Sequence, residues 1–288
     1  VKGAASVQPR QHAAPVDEKN ESVEVENSQG GSTVPERSFS PGGESAASVK
    51  GPAAPAVVTS DDPVGLNNAA VRFLAEARYE EAAQALQRAI AAAPDQSKFH
   101  RNLSVVYERM NRMNEAVAEA QRSVDLAPRE PIALVQLCAL NVMVLRNAQA
   151  LTCFEKLIAL GALDSDSQTF YGVALLRTGD NRKAVSILEQ AARHSPTDIG
   201  TLNALGLAYF NLRRYSDSAQ CFKQAVEIEP KRGELRFNLA VAQAANRNKE
   251  AGLSQYRILR EDNPKLAAEL YQLLFQDKVV QVAALKKR

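Results

Sequence analysis

Residues 199–232 read IGTLNALGLAYFNLRRYSDSAQCFKQAVEIEPKR, and the spacing within them can be found again along the chain. Leu202, Leu205, Gly206, Tyr209, Tyr215, Ser218, Phe222, Ala225 and Pro230 recur at three, four and seven residues. That is the period of two amphipathic helices. Asn211 to Arg214 interrupts the apolar stripe, Tyr215 restarts it, and Pro230 stops it because proline has no amide proton to give a helix interior.

Shifting this pattern by 34 residues lands on Pro94, Pro128, Pro196, Pro230 and Pro264, with Ala162 alone out of step. Small residues recur with the prolines. Ala82, Ala116, Ala150, Ala184, Ser218 and Gly252 begin the buried side of each second helix, and Ala89, Ser123, Leu157, Ala191, Ala225 and Leu259 follow seven residues later. Antiparallel helices approach to about 8–10 Å, so their contact residues have to be small. The large partners are Leu66, His100, Leu134, Gln168, Leu202 and Arg236 on first helices, and Leu86, Ala120, Phe154, Leu188, Phe222 and Tyr256 on second helices.

Six such units resemble the tetratricopeptide repeat (TPR) family. The resemblance spans roughly Asp62 to Leu266, with units at 63–96, 97–130, 131–164, 165–198, 199–232 and 233–266. It implies an all-α, right-handed superhelical solenoid of antiparallel helix pairs. Departures are local: the third unit has Asn141 in place of the tyrosine and lacks the proline, and Gln168 and Arg236 replace large apolar residues.

Residues 1–60 hold one aromatic, Phe39, and are rich in Ala, Ser, Pro, Gly and Glu. Such a segment buries too little to offset its ordering entropy, and we read it as a disordered leader. Asp62 before Pro63 marks the first helix start. At the other end, residues 267–288 are read as a capping helix and tail, because Leu266, Leu270, Leu273 and Leu274 form a stripe that would cover the last repeat.

The formal charge is +2, and neither half is polarised: 5 basic and 7 acidic residues up to Ser60, 30 and 26 beyond. This argues against nucleic acid as partner, which calls for a basic face. No run is long and apolar enough to span a membrane; Pro131 to Leu145 is too short and carries Gln136 and Asn141. A signal segment removed ahead of Val1 would make the chain periplasmic, secreted or membrane-tethered, and otherwise it would be cytoplasmic.

Of the three cysteines, only Cys138 and Cys153 lie in one hairpin; the reading favoured here is that all three are small core thiols. There is no CxxC, and His12, His100 and His194 are scattered, so neither metal nor cofactor is expected. We find no paired carboxylates, no nucleophile with its base and no phosphate-cradling loop, and expect no enzyme. Gly172 and Gly206 fall where Ala70, Ser104, Cys138 and Ala240 fall, which makes them packing residues.

What remains is a surface. The resemblance implies that first helices line a concave groove, and its register assigns the groove residues. Val135, Ala139, Val142, Met143, Phe170, Val173, Leu176, Leu207 and Phe210 would form an apolar patch at mid-groove, unlike a solvated face. Asn68, Asn102, Gln136, Asn203 and Asn238 would address the backbone of an extended peptide. Lys98, Arg101 and Arg109 could favour acidic ligands, while Val71 and Val105 replace the asparagine of the carboxylate clamp found in chaperone-binding members. The expectation is a protein-binding adaptor or scaffold that holds a polypeptide segment in this groove, with a bacterial cell-envelope assembly factor as its specific form. The alternative is a helical regulatory or substrate-recruiting arm of an enzyme or complex whose catalytic part lies elsewhere.

Overall fold

Asp62 accepts hydrogen bonds from the amides of Val64 and Gly65, Pro63 takes the first helical position, and α1 runs Pro63–Ala75. This is the start that the sequence signals, a side-chain acceptor followed by a residue whose missing amide proton costs nothing there. The computed structural model describes residues 62–275. The leader assigned to residues 1–60 and the tail from Val279 to Arg288 lie outside the described residues. Twelve helices follow α1: α2 (Tyr79–Ala92), α3 (Ser97–Arg109), α4 (Met113–Leu126), α5 (Pro131–Met143), α6 (Asn147–Ala159), α7 (Ser165–Arg177), α8 (Asn181–His194), α9 (Ile199–Asn211), α10 (Tyr215–Ile228), α11 (Gly233–Ala245), α12 (Lys249–Asp262) and α13 (Pro264–Phe275). The described residues contain no strand, and the fold is the expected all-α solenoid. No described helix is long and apolar enough to cross a membrane.

Each pair turns the same way. The reversal uses one left-handed residue per repeat: Ala77, Asn111, Leu145, Gly179, Arg213 and Arg247. The amide after it reaches back five residues, as in Arg78 N to Phe73 O at 2.8 Å and Arg214 N to Tyr209 O at 2.9 Å, and satisfies a carbonyl that the helix end leaves open. Gly179 adopts this conformation freely and Asn111 tolerates it; at the other four the packing of the two helices holds an L-residue where it costs about 1 kcal/mol or more.

The small residues of the second helices are buried, from Ala82 and Ala116 to Ala191 and Ala225, and large side chains of the neighbouring helix fill the space they leave. The glycines show how tight the contact is. A Cβ on Gly206 would lie 2.7 Å from the Phe222 ring, and Gly172 meets Leu188 in the same way. Ser218 adds a hydrogen bond from its hydroxyl to the Gly206 carbonyl at 2.8 Å.

Two of the three polar residues at the large first-helix position, His100 and Arg236, keep one geometry, whereas the side-chain oxygen of the third, Gln168, is buried with no hydrogen-bond partner among the described residues. His100 pairs with Glu119 at 2.7 Å, and its other ring nitrogen lies 3.0 Å from the Pro94 carbonyl. Arg236 donates to Gln255 at 3.0 Å and to the Pro230 carbonyl at 2.7 Å. In both repeats a buried or half-buried polar side chain is tolerated because the same two neighbours satisfy it.

The cap begins earlier than the boundary at 266/267. The Asn263 side chain accepts from the Leu266 amide, α13 starts at Pro264, and Leu266, Leu270 and Leu274 are buried, with Leu273 packed beside them.

One expectation is overturned. Cys138 and Cys153 are joined by a disulfide that pins α5 to α6 with their Cα atoms 5.4 Å apart, so they are not core thiols. The hairpin turn brings the two positions face to face, which a helical register alone does not weigh. Cys221 is the free, buried thiol, and burial pushes it up to about 12, leaving little thiolate at neutral pH.

Two outcomes follow. In denaturant the oxidised protein should expose one thiol to a colorimetric reagent and three after reduction, and reduction should lower stability by about 3 kcal/mol, the loop-closure figure for a link of this span. Three thiols without reductant would show the bond does not form. Gly206→Leu should lower the denaturant midpoint by about 1–3 kcal/mol or more, because Phe222 already occupies the space; an unchanged midpoint would refute the packing described.

Candidate functional site

The first helices α1, α3, α5, α7, α9 and α11 stack in order, and residues on their shared face meet across the repeats at a sequence distance of 35. Asn102 donates to Asn67 at 2.7 Å and Asn238 donates to Asn203 at 3.2 Å. Arg177 donates to the Val142 carbonyl at 2.6 Å, and Thr169 and Thr201, 32 residues apart, share a hydrogen bond of 2.6 Å. Burial lowers the pKa of Arg177. The sequence register also puts Asn67 and Thr169 on this face, but Thr201 and Arg177 were not among the groove residues read from the sequence. The signal that could have found them is the matching of residue types at this spacing, amide with amide and hydroxyl with hydroxyl.

This stacking corrects the picture of amides waiting for a ligand. Asn102, Gln136 and Asn238 are buried and engaged with neighbouring helices, Gln136 through a 2.8 Å hydrogen bond to Glu108. Burial holds the Glu108 carboxyl above the usual carboxylate range, and the Gln136 hydrogen bond opposes that shift. Asn203 is half-buried and accepts from Asn238. Asn68 alone of the five is exposed; its side-chain oxygen lies 3.4 Å from the Asn67 amide.

The apolar patch is continuous but closed. Val135, Ala139, Val142, Phe170, Val173, Leu176, Leu207 and Phe210 are all buried and belong to the same apolar cluster as the contacts within the helix pairs. Val142 is 0 % exposed; Met143 is partly buried against the cluster. Val105 is buried too. The sequence counted these as an open patch because the register gives direction around a helix and not how closely the next helix stands.

What stays accessible on this face lies mostly over the first two repeats. Lys98 and Arg109 are exposed on α3, and Arg101 is half-buried with Glu130 at 2.6 Å. The Ser97 hydroxyl donates to the same carboxylate at 2.8 Å. The arrangement presents cations and one amide on rigid helices, with a partly buried methionine further along. No described group of three His, Cys, Asp or Glu side chains could hold a metal ion.

Two family models match the chain: the N-terminal TPR repeats region of Psidin over residues 144–251, and the tetratricopeptide repeat over residues 67–131. Among curated proteins, the peroxisomal targeting signal receptor of Komagataella phaffii is 25% identical over 182 residues, which cover 60% of this chain and 31% of the receptor. The chain thus spans about a third of the length of that relative. Among solved structures, PilW, a type IV pilus biogenesis factor, has a TM-score of 0.64 at 13% identity and covers 73% of this chain and 98% of its own. YrrB, a TPR protein with an unusual peptide-binding site, has a TM-score of 0.56 at 20% identity and covers 66% of this chain and 100% of its own. At these identities the structures share the fold.

The closed patch predicts a split between two adjacent residues. Val142→Glu buries a charge with no partner and should cost several kcal/mol of stability, whereas Met143→Glu can keep its carboxylate in water and should cost under about 1 kcal/mol. Denaturant midpoints of the two variants decide the matter, and equal, small losses would mean that Val142 faces an open groove.

Proposed function

Because the chain is a tetratricopeptide-repeat protein, we propose that it works as an adaptor, holding a polypeptide segment along the face formed by its first helices. TPR folds serve typically as non-catalytic interaction scaffolds. The observation that carries the reading is the accessible end of that face, where Asn68, Lys98 and Arg109 stand exposed and Arg101 is half-buried. The helices that carry these side chains are stacked, so a bound segment meets a preorganised backbone, and the ordering that remains is that of the exposed side chains. Lys98 and Arg109 favour a ligand with acidic residues, and Asn68 can give and take hydrogen bonds with its backbone. The buried residues Val135, Phe170, Val173 and Leu207 then set the spacing of the helices beneath the ligand, with Met143 at the surface as an apolar contact.

The specific form of this reading is an assembly factor of a bacterial envelope, working in an oxidising compartment. Two observations support it. The Cys138–Cys153 disulfide suits periplasmic or secreted proteins and is rare in the cytosol, and the fold is similar to that of a pilus biogenesis factor.

A charge reversal tests the adaptor reading. Lys98→Glu/Arg109→Glu changes two exposed side chains and should shift stability by less than about 0.5 kcal/mol each. Titrated by fluorescence anisotropy, an extended acidic peptide with a labelled terminus should bind the wild type more tightly at low salt, and the double variant at least ten-fold more weakly. Equal binding by both proteins would remove the cationic end of the face from the reading.

A further inference from the structure

Repeats two and five carry a tyrosine in the same setting, its hydroxyl bonded to the preceding second helix and its ring covered by an arginine. The ring of Tyr107 lies against the preceding second helix, where Gln87 donates to its hydroxyl at 3.0 Å. Tyr209 repeats this with Glu189, donating to the carboxylate at 2.6 Å. The arginine of the following turn covers each ring, Arg112 at 4.5 Å and Arg214 at 4.3 Å from the ring centre, and each arginine pairs with an acid three residues on, Glu115 or Asp217. The ring is thus bonded at its hydroxyl and stacked on its face.

Repeat three keeps the frame and lacks the ring. Asn141 stands where Tyr107 and Tyr209 stand, Gln121 stands where Gln87 and Glu189 stand, and Arg146 occupies the turn position of Arg112 and Arg214. The acid that would hold the arginine is Gln149. In the place of the ring is a pocket of about 230 Å³. Its floor is made of the buried residues Leu134, Leu137, Asn141 and Cys153, the last joined to Cys138, and its mouth of the exposed Gln121 and Lys156. Asn141 is 5 % exposed, and its side-chain amide makes no hydrogen bond among the described residues. Its polar atoms reach solvent through the pocket, where a ligand's polar group can take the place of water.

We propose that this pocket between α4, α5 and α6 is a binding site for a tyrosine side chain presented by a partner polypeptide. The two intact repeats define the chemistry of the occupant: a flat ring on an apolar floor, a hydroxyl that meets the residue on the preceding second helix, and a guanidinium over the ring. Gln121 supplies the hydroxyl's partner, Asn141 exchanges water for a bond to the ligand, and Arg146 is the residue that the register of Arg112 and Arg214 assigns to cover the ring. The site is separate from the first-helix face, so a ligand could occupy both, and loss of either leaves the other in place.

The test uses p-cresol, which is the tyrosine side chain without its backbone, and N-acetyltyrosinamide, which restores the backbone, both titrated into the oxidised full chain by ligand-observed NMR. Saturable binding of both is expected, with toluene at least about five-fold weaker because it cannot form the hydroxyl hydrogen bond. Asn141→Tyr supplies the ring from within; it should abolish binding of both probes and raise the thermal midpoint. Should that variant fail to fold, Gln121→Ala, a change at an exposed position, should erase the preference for p-cresol over toluene. Absence of saturable p-cresol binding would overturn the site, and so would binding that survives in a folded Asn141→Tyr. Binding of p-cresol without N-acetyltyrosinamide would mean that the pocket takes small phenols, and would overturn the assignment to a polypeptide partner.

Discussion

The contact on which this structure depends is a large side chain entering the space left by a small one, once in every helix pair. Gly206 and Phe222 give its tightest form, since the ring lies where the first atom of any side chain would have to go. The backbones can approach only because that atom is absent, and the approach then brings the rest of the pair into register. Everything else is carried by this contact: the left-handed turn residues are held at their unfavourable φ by helices already docked, and the stack of first helices is spaced by the pairs beneath it. Such an array has no single centre, because each repeat is stabilised by its own pair and its neighbours. The last pair consequently needs α13, whose Leu270 and Leu274 do for it what a following repeat does for the others.

The sequence made the pairs legible because their constraint is local and periodic. Large residues at one fixed position and small ones at another give helix identity, turn position and the role of Gly172 and Gly206 without any knowledge of distant contacts. Asp62 with Pro63 gave the start for the same reason, a rule operating within three residues. The candidate site was less legible because it depends on the spacing between repeats. That the side chains of Val142 and Phe170 lie on the shared face follows from helical geometry, but that the face is closed over them depends on how near the next first helix stands. The amides show the same limit. Asn102 and Asn238 were correctly placed on that face and were assigned to a ligand, while their partners were Asn67 and Asn203, one repeat back.

The disulfide was misjudged for a different reason. Small size at the position of Cys138 is a sufficient cause for a cysteine there, since alanine, serine and glycine serve equally well in the other repeats, and the sequence offered nothing to prefer a bond. What decides is the hairpin, which brings Cys138 and Cys153 to 5.4 Å between Cα atoms. The companion cysteine in repeat five, Cys221, has no such neighbour, because Gly206 stands opposite it in the position of Cys138 and the chain has only three cysteines. Two cysteines in one register therefore have different chemistry, set by a residue on the facing helix.

Repeat three departs from the array at several positions at once. It lacks the closing proline, the tyrosine, the acid that holds the turn arginine and the open arrangement of thiols, and each change alone reads as tolerated drift. Two of them meet in space: a pocket opens where the ring is lost, and Cys153 of the disulfide forms part of its wall. A cavity of this kind weakens a pair by removing contacts that its neighbours keep, whereas a covalent link between the same two helices restricts their separation. The two effects oppose one another in the same hairpin. A repeat that has exchanged its internal ring for a cross-link keeps its place in the solenoid without filling its own interior, and that is the condition under which a pocket can persist in a packed array.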